Sequence, residues 1–317
     1  MMMKKYMCLA LLVICFAFSH ALGDDAFPLK AKRVLFLGDS ITNAGHYVSD
    51  IETQLRLQVI SPLPEIINIG LSSETCSGLS EPDHPFPRPD VHERLDRALD
   101  KARPDVVVAC YGMNDGIYYP FSEERFAAYK AGVRKLVNKV HTSGAKIVLM
   151  TPPPFDPSPL KGKEGKLLPA GAEKYAWFAI YENYDDVIQR YAEWVMQNDA
   201  GADMVVNVHQ PISDFLKEQR ERDPGFSMAN DGVHMDARGH RVMAKAILNA
   251  WGLDSWKEPS PELQKLVQQR ERVLHAAWLS HIGHKRPGVK EGLPLADAVA
   301  NAAELDAKIT PLVPAGK

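Results

Sequence analysis

The chain is poor in cysteine, lacks a long apolar run in its body and carries little net charge. Its four cysteines, Cys8, Cys15, Cys76 and Cys110, are spread over 317 residues. No two stand in C-x-x-C spacing, so a structural zinc site is not indicated. A net charge of −3 gives neither a basic patch nor an acidic tail, so nucleic acid is not an expected partner. Internal repeats and low-complexity tracts are absent, and the 23 prolines and 21 glycines are scattered. What remains is 45% hydrophobic and 24% charged, the balance of a globular chain long enough to bury a sizeable core.

The one compact apolar stretch is at the start. Lys4 and Lys5 precede the run Met7 to Phe18, and small residues follow at Ala21 and Gly23. Charge, apolar run and small residues in that order read as an export signal, and the run is too short to span a bilayer. Residue 14, before Cys15, is isoleucine, which is a poor match to a lipoprotein box. No later stretch is apolar enough to cross a membrane, so the mature protein is expected to have no span and to be periplasmic or extracellular. Cleavage would leave Cys76 and Cys110, which either pair in an oxidising compartment or stay as thiols, Cys110 in an apolar run.

Five short apolar runs recur: Val34 to Leu37, Ile66 to Ile69, Val106 to Cys110, Ile147 to Met150 and Val205 to Val208. Each is continuous rather than alternating, as strands covered on both faces require. Helix-length segments separate or follow them, at 47–59, 91–102, 123–141, 184–198, 212–222 and 237–251. The alternation predicts an α/β fold with a parallel sheet. Pro82 to Pro89 reads as a loop. Pro152 to Glu182 reads as an ordered flap, with aromatics Tyr175, Trp177, Phe178 and Tyr181 near a site. After Trp256 two more helices, 262–281 and 295–308, predict an appendage packed on the core.

Chemistry-bearing residues follow the runs, where open parallel sheets bind ligands. Gly38-Asp39-Ser40-Ile41 follows the first run, Gly70 the second and Gly112-Met113-Asn114-Asp115 the third, while Asp231-Gly232-Val233-His234 precedes a helix. Taken singly, each has an ordinary reading as a turn or helix cap. Together they supply a hydroxyl nucleophile, oxyanion donors and a carboxylate spaced to orient an imidazole.

In these motifs the sequence resembles the SGNH hydrolase superfamily, also called GDSL esterases and lipases, over roughly residues 33–252. Gly-Asp-Ser-Ile stands where many members have Leu in the last place, an apolar-for-apolar change. The resemblance implies a flavodoxin-like three-layer α/β/α sandwich with a five-stranded parallel sheet over 24–256, after a signal at 1–23. The helical extension would occupy 257–317. It also implies ester hydrolysis with no metal and no cofactor. Ser40, Asp231 and His234 would form the triad, and Ser40, Gly70 and Asn114 the oxyanion hole.

Other histidines have weaker claims. His46 and His209 lie near the motifs in sequence. His275, His281 and His284 cluster late in the chain, but Gly283 breaks the helical face a metal pair would need. The expected substrate is a small-molecule or glycan ester, with acetyl on a carbohydrate favoured by export and by the aromatic loop. A lipase or lysophospholipase, or a catalytically silent glycan-binding module, are the other readings.

Overall fold

The computed structural model describes residues 27–315; the export segment read over 1–23 lies outside them. The first four apolar runs become β1 (Arg33–Gly38), β2 (Glu65–Asn68), β3 (Val106–Cys110) and β4 (Lys146–Met150). Two short strands, β5 (Leu167–Leu168) and β6 (Ile180–Tyr181), pair with each other inside the long loop, and β7 (Met204–Val206) is the fifth run. The main sheet has the order β2-β1-β3-β4-β7 and every pairing is parallel.

Successive side chains of a strand face opposite ways, and here both faces are apolar. Leu35, Leu37, Val107, Ile147 and Leu149 join one core with residues of α3 (Leu95–Ala102), α4 (Glu123–Thr142) and α5 (Tyr184–Met196). Val34, Phe36, Val108, Val148 and Val206 join another with α2 (His46–Leu57), α6 (His209–Arg222) and α7 (Ala237–Ala250). The result is the expected three-layer sandwich. A single turn, α1 (Ser40–Asn43), leads from β1 towards α2. Cys76 and Cys110 are buried, free thiols in separate cores, so of the two expectations for them the thiol is the one found.

Helix starts follow local capping chemistry. Ser122 accepts from Arg125 N–H at α4, and Asp236 accepts from Arg238 N–H at α7. Each oxygen satisfies a backbone donor left open by the first turn. Two boundaries differ from expectation. The helix predicted from Val91 is first a 3₁₀ turn, Val91–Glu93, and α3 begins only at Leu95; between them the buried Arg94 directs its guanidinium onto Glu74. The fifth run ends as a strand at Val206, because Thr151 Oγ1 accepts the N–H groups of both Val208 and His209, and α6 begins there.

The chain after Trp256 forms α8 (Pro261–Ile282) and α9 (Leu295–Ile309). Helix α8 packs on α2 and along β2, covering that sheet edge, and α9 packs on α8. Trp278, Leu279 and Ile282 enter the same core as α3 and α4, while Leu263, Val267 and Ile309 meet Leu57 in a smaller cluster. Covering an edge strand also removes a site for unwanted strand pairing. Truncating Leu279, 2% exposed, to alanine is expected to cost about 2–5 kcal/mol. Urea denaturation should show the loss across one cooperative transition; a second, separate transition would mean the extension unfolds on its own.

Candidate active site

The turn after β1 is tightly packed. A Cβ on Gly38 would meet Thr42 Oγ1 at 2.1 Å and Cys110 O at 2.9 Å, so only glycine fits. The buried Asp39 carboxylate accepts from Ile41 N–H at 2.9 Å, which holds the turn; burial pushes its pKa up to about 6. Ser40 then begins α1, and its backbone N–H meets no acceptor among the described residues.

Asp231, Gly232, Val233 and His234 form the turn before α7. Asp231 Oδ1 accepts from the N–H of Val233 at 3.0 Å and of His234 at 2.8 Å. Its Oδ2 lies 2.6 Å from His234 Nδ1, and His234 Nε2 lies 2.7 Å from Ser40 Oγ. Gly232 has φ +78°, and a Cβ on it would meet Asp156 O at 2.5 Å. Asp156 N–H donates to Gly232 O at 2.8 Å, so the loop after β4 clamps this turn.

Electrostatics fix the proton positions. Burial alone would raise the Asp231 pKa, but hydrogen bonds from the His234 ring and backbone hold it well below the usual carboxylate range. Asp231 is therefore an acceptor only. Nδ1 of His234 therefore carries a hydrogen, and in the neutral ring Nε2 is left to accept from Ser40 O–H. The Asp231 hydrogen bond raises the His234 pKa above its ordinary 6.5, against the opposing effect of burial.

Asn114 lies in the turn after β3, buried. Tyr118 O–H donates to its Oδ1 at 2.9 Å, which sets the amide, and Nδ2 donates to Glu74 O at 3.2 Å. An amide nitrogen has two hydrogens, so one is left for the cavity that Asn114 lines. That cavity, about 320 Å³, also takes in Ser40, Ser73 and His234. Its walls include Phe86, Tyr118, Trp177, Arg88 and Arg286. The Arg88 guanidinium is buried, forked onto Glu81 at 2.6 and 2.7 Å.

Gly70 departs from expectation. Its N–H is committed to Asn68 Oδ1 at 2.8 Å, and it does not line the cavity. The residue sits behind the Ser40 turn, where a Cβ would meet Asn43 N at 2.4 Å. Three residues on, Ser73 adopts φ +69° and lines the cavity. Its N–H has no acceptor among the described residues, and its carbonyl accepts from Arg88 Nη1 at 3.3 Å. Nothing in the sequence marks Ser73, since a left-handed turn residue is usually read from glycine or asparagine. Phe86 and Arg88 lie in a segment legible only as a proline-rich loop, and Arg286 lies in the appendage.

His46, His209 and His275 are placed elsewhere. His46 packs against His240 at 5.2 Å between ring centroids. His209 has Nε2 at 3.7 Å from Asp185 Oδ1. Nε2 of His275 lies 2.9 Å from Gly70 O, and burial lowers its pKa, which makes it a neutral donor to that carbonyl. Of the aromatics in the long loop, Trp177 reaches the cavity, while Tyr175 O–H donates back to Pro169 O at 2.7 Å.

Gly70→Ala separates packing from donation, because alanine keeps the N–H. The clash is expected to cost about 1–3 kcal/mol, read as a lower urea midpoint. An unchanged midpoint would show that the close approach at residue 70 is dispensable.

Comparison with curated protein sequences finds no match. Solved structures share the fold. A gut microbial diltiazem-metabolizing enzyme aligns with TM-score 0.52 at 22% identity, over 70% of this chain and 47% of its own; the chain thus spans about half of that enzyme. A single-residue mutant of Axe2, an acetyl-xylooligosaccharide esterase from Geobacillus stearothermophilus, aligns with TM-score 0.50 at 23% identity, over 72% of this chain and 97% of its own. The family profile described as GDSL-like Lipase/Acylhydrolase matches residues 36–242, which span the β1 turn, the Asn114 turn and the Asp231–His234 turn. The chain therefore belongs to the GDSL-like lipase/acylhydrolase family of serine ester hydrolases.

Proposed function

We propose that the protein is an exported serine esterase that removes a small acyl group, acetyl in the first instance, from a carbohydrate. The observation that carries the reading is the continuous relay from Asp231 through His234 to Ser40, at 2.6 and 2.7 Å, opening on a cavity of about 320 Å³. Ser40 Oγ attacks the acyl carbon as His234 Nε2 takes its proton, and Asp231 stabilises the imidazolium. The oxyanion is held by the N–H groups of Ser40 and Ser73 and by the Asn114 amide. Ser73 replaces Gly70 in this role because the Gly70 N–H is already spent on Asn68. One such donor is worth about 10²- to 10³-fold in turnover. His234 then protonates the leaving alcohol, and water, activated by the same imidazole, releases the acid.

The substrate class rests on the walls. Trp177 is 51% exposed at the cavity, a flat apolar face of the kind on which sugar rings stack. The cavity is modest in volume, which favours a short acyl chain. The name of Axe2 gives an acetylated oligosaccharide as that enzyme's substrate, in keeping with this reading. Export rests on the order of charge, apolar run and small residues over 4–23. Among the described residues no helix is long and apolar enough to cross a membrane.

Ser40→Ala is expected to lower hydrolysis of a chromogenic acetyl ester by about 10⁴-fold or more and to abolish labelling by a fluorophosphonate probe. Activity should fall as the acyl chain lengthens from acetyl. A rise with chain length would favour a lipase, and glycan binding with neither turnover nor labelling would favour a silent module.

The pH profile tests the relay. Only neutral His234 can take the Ser40 proton, so kcat/KM should rise with pH through one ionisation above 6.5 and then level. Asp231→Asn removes the group that raises that pKa. Its acid limb should therefore move to lower pH while the plateau drops about 10⁴-fold. An acid limb that stays in place would mean that Asp231 does not set the ionisation of His234.

A further inference from the structure

Helix α8 ends at Ile282, Gly283 turns the chain with φ +81°, and the next residues run back to the cavity. Arg286 arrives there from outside the residues that match the family profile. Its Nε donates to Ser72 O at 2.8 Å, its Nη1 donates to Pro287 O at 3.0 Å, and its guanidinium lies 5.1 Å from the Phe86 ring centroid. Nη2 has no acceptor among the described residues.

Its charge is uncompensated. Arg88 and Arg94 each fork onto a buried glutamate, Glu81 and Glu74. Among the described residues Arg286 has no ion-pair partner. Two arginines and two histidines line the cavity, and none of its lining residues is acidic. Burial lowers the Arg286 pKa, with no acid offsetting it. A part-buried guanidinium pinned by carbonyls and an aromatic face, with free N–H donors, is suited to an incoming anion.

We propose that Arg286 selects esters whose alcohol half carries an anionic group, a carboxylate or a sulfate. This rests on the small-acyl esterase reading: an acetyl group has no room for a charge, so the anion must belong to the alcohol. The extension thereby supplies a specificity determinant to the catalytic cavity.

The test compares kcat/KM for 4-acetoxybenzoate, 4-acetoxybenzenesulfonate and neutral 4-acetoxybenzamide. Comparing the anionic-to-neutral ratio between proteins cancels the intrinsic reactivity of each leaving group. Arg286→Gln is expected to lower that ratio about tenfold, and Arg286→Lys to restore part of it. Added salt should erode the ratio in the wild type and leave it unchanged in Arg286→Gln. Whichever anion loses more identifies the preferred group. An equal loss on all three esters would mean that Arg286 only props the Ser72 carbonyl, and would overturn the proposal, as would no loss at all.

Binding keeps the two readings apart. Titration of 4-acetoxybenzoate into Ser40→Ala, with and without Arg286→Gln, reads the cation without turnover. Weaker binding in the double variant supports the proposal even if the wild type were to hydrolyse nothing, a result that would overturn only the esterase reading. Equal binding overturns the proposal.

Discussion

The hydrogen bond between Ser40 Oγ and His234 Nε2 joins residues 194 apart in sequence at 2.7 Å. A parallel sheet makes such a contact attainable, because every strand delivers its carboxyl end to the same rim. Ser40 follows β1, Ser73 follows β2, Asn114 follows β3, and the loop after β4 reaches the Asp231–His234 turn through Asp156. Asp156 is held in turn by Arg220, whose Nη2 lies 2.6 Å from its Oδ2. Each group comes from a different crossover, so the relay depends on the order β2-β1-β3-β4-β7 and on both apolar cores that hold it.

Around that rim, charge is used to fix backbone. Glu74 takes the Arg94 fork at 2.6 and 2.7 Å and the Tyr111 hydroxyl at 2.6 Å, while its own carbonyl accepts from Asn114. Arg94 Nη2 also donates to Ile69 O. Buried ion pairs are costly to desolvate and are weak grounds for stability, but removing one partner from such a pair typically costs about 3–5 kcal/mol. Here the pairing serves geometry. The chain from residue 69 to 74, which carries Ser73, is tied at both ends, and Arg88 ties Ser73 O to the 81–88 loop. The left-handed φ of Ser73 is kept by partners on either side rather than by the local preference of serine.

Much of this was legible because strand burial and the spacing of hydrogen-bonding partners on one turn are local. Five near-continuous apolar runs report strands covered on both faces, and the structure has those five strands in one parallel sheet. Asp231 and His234 were readable as partners since a three-residue spacing lets a carboxylate reach both a backbone N–H and the ring on one turn. What stayed hidden is set by long-range geometry. Gly70 looked like a donor because glycine admits close approach. The approach is real, but it is made by the backbone of Thr42 and Asn43 rather than by a ligand. Ser73 gave no sign, because a left-handed turn at serine is imposed by its neighbours. The helix boundary at Leu95 was displaced by one arginine turning inward, which propensity cannot anticipate.

The boundary drawn at Trp256 has a physical limit as well. Helix α8 places Glu271 against the Ser40 turn: Asn68 Nδ2 donates to Glu271 Oε1 at 2.6 Å and to Thr42 O at 2.9 Å, and Asn68 Oδ1 takes the Gly70 N–H. Burial pushes the Glu271 pKa up to about 7, yet the site tolerates it because the Asn68 amide meets it directly. His275, one turn on, caps the Gly70 carbonyl. The extension thus supports from behind the same turn that presents Ser40 in front, with Glu271 and His275 of α8 matched to Asn68 at the end of β2 and to Gly70 after it. An appendage that merely covered a sheet edge would need apolar contacts alone. The polar contacts of this one reach α2, where Gln264 meets Asp50 and Arg270 meets Glu52, and the segment 68–72, where Arg286 continues the line to the cavity by holding Ser72 O. The C-terminal helices and the rim that carries Ser40 and Ser73 are thus joined by hydrogen bonds along the segment from Asn68 to Ser72.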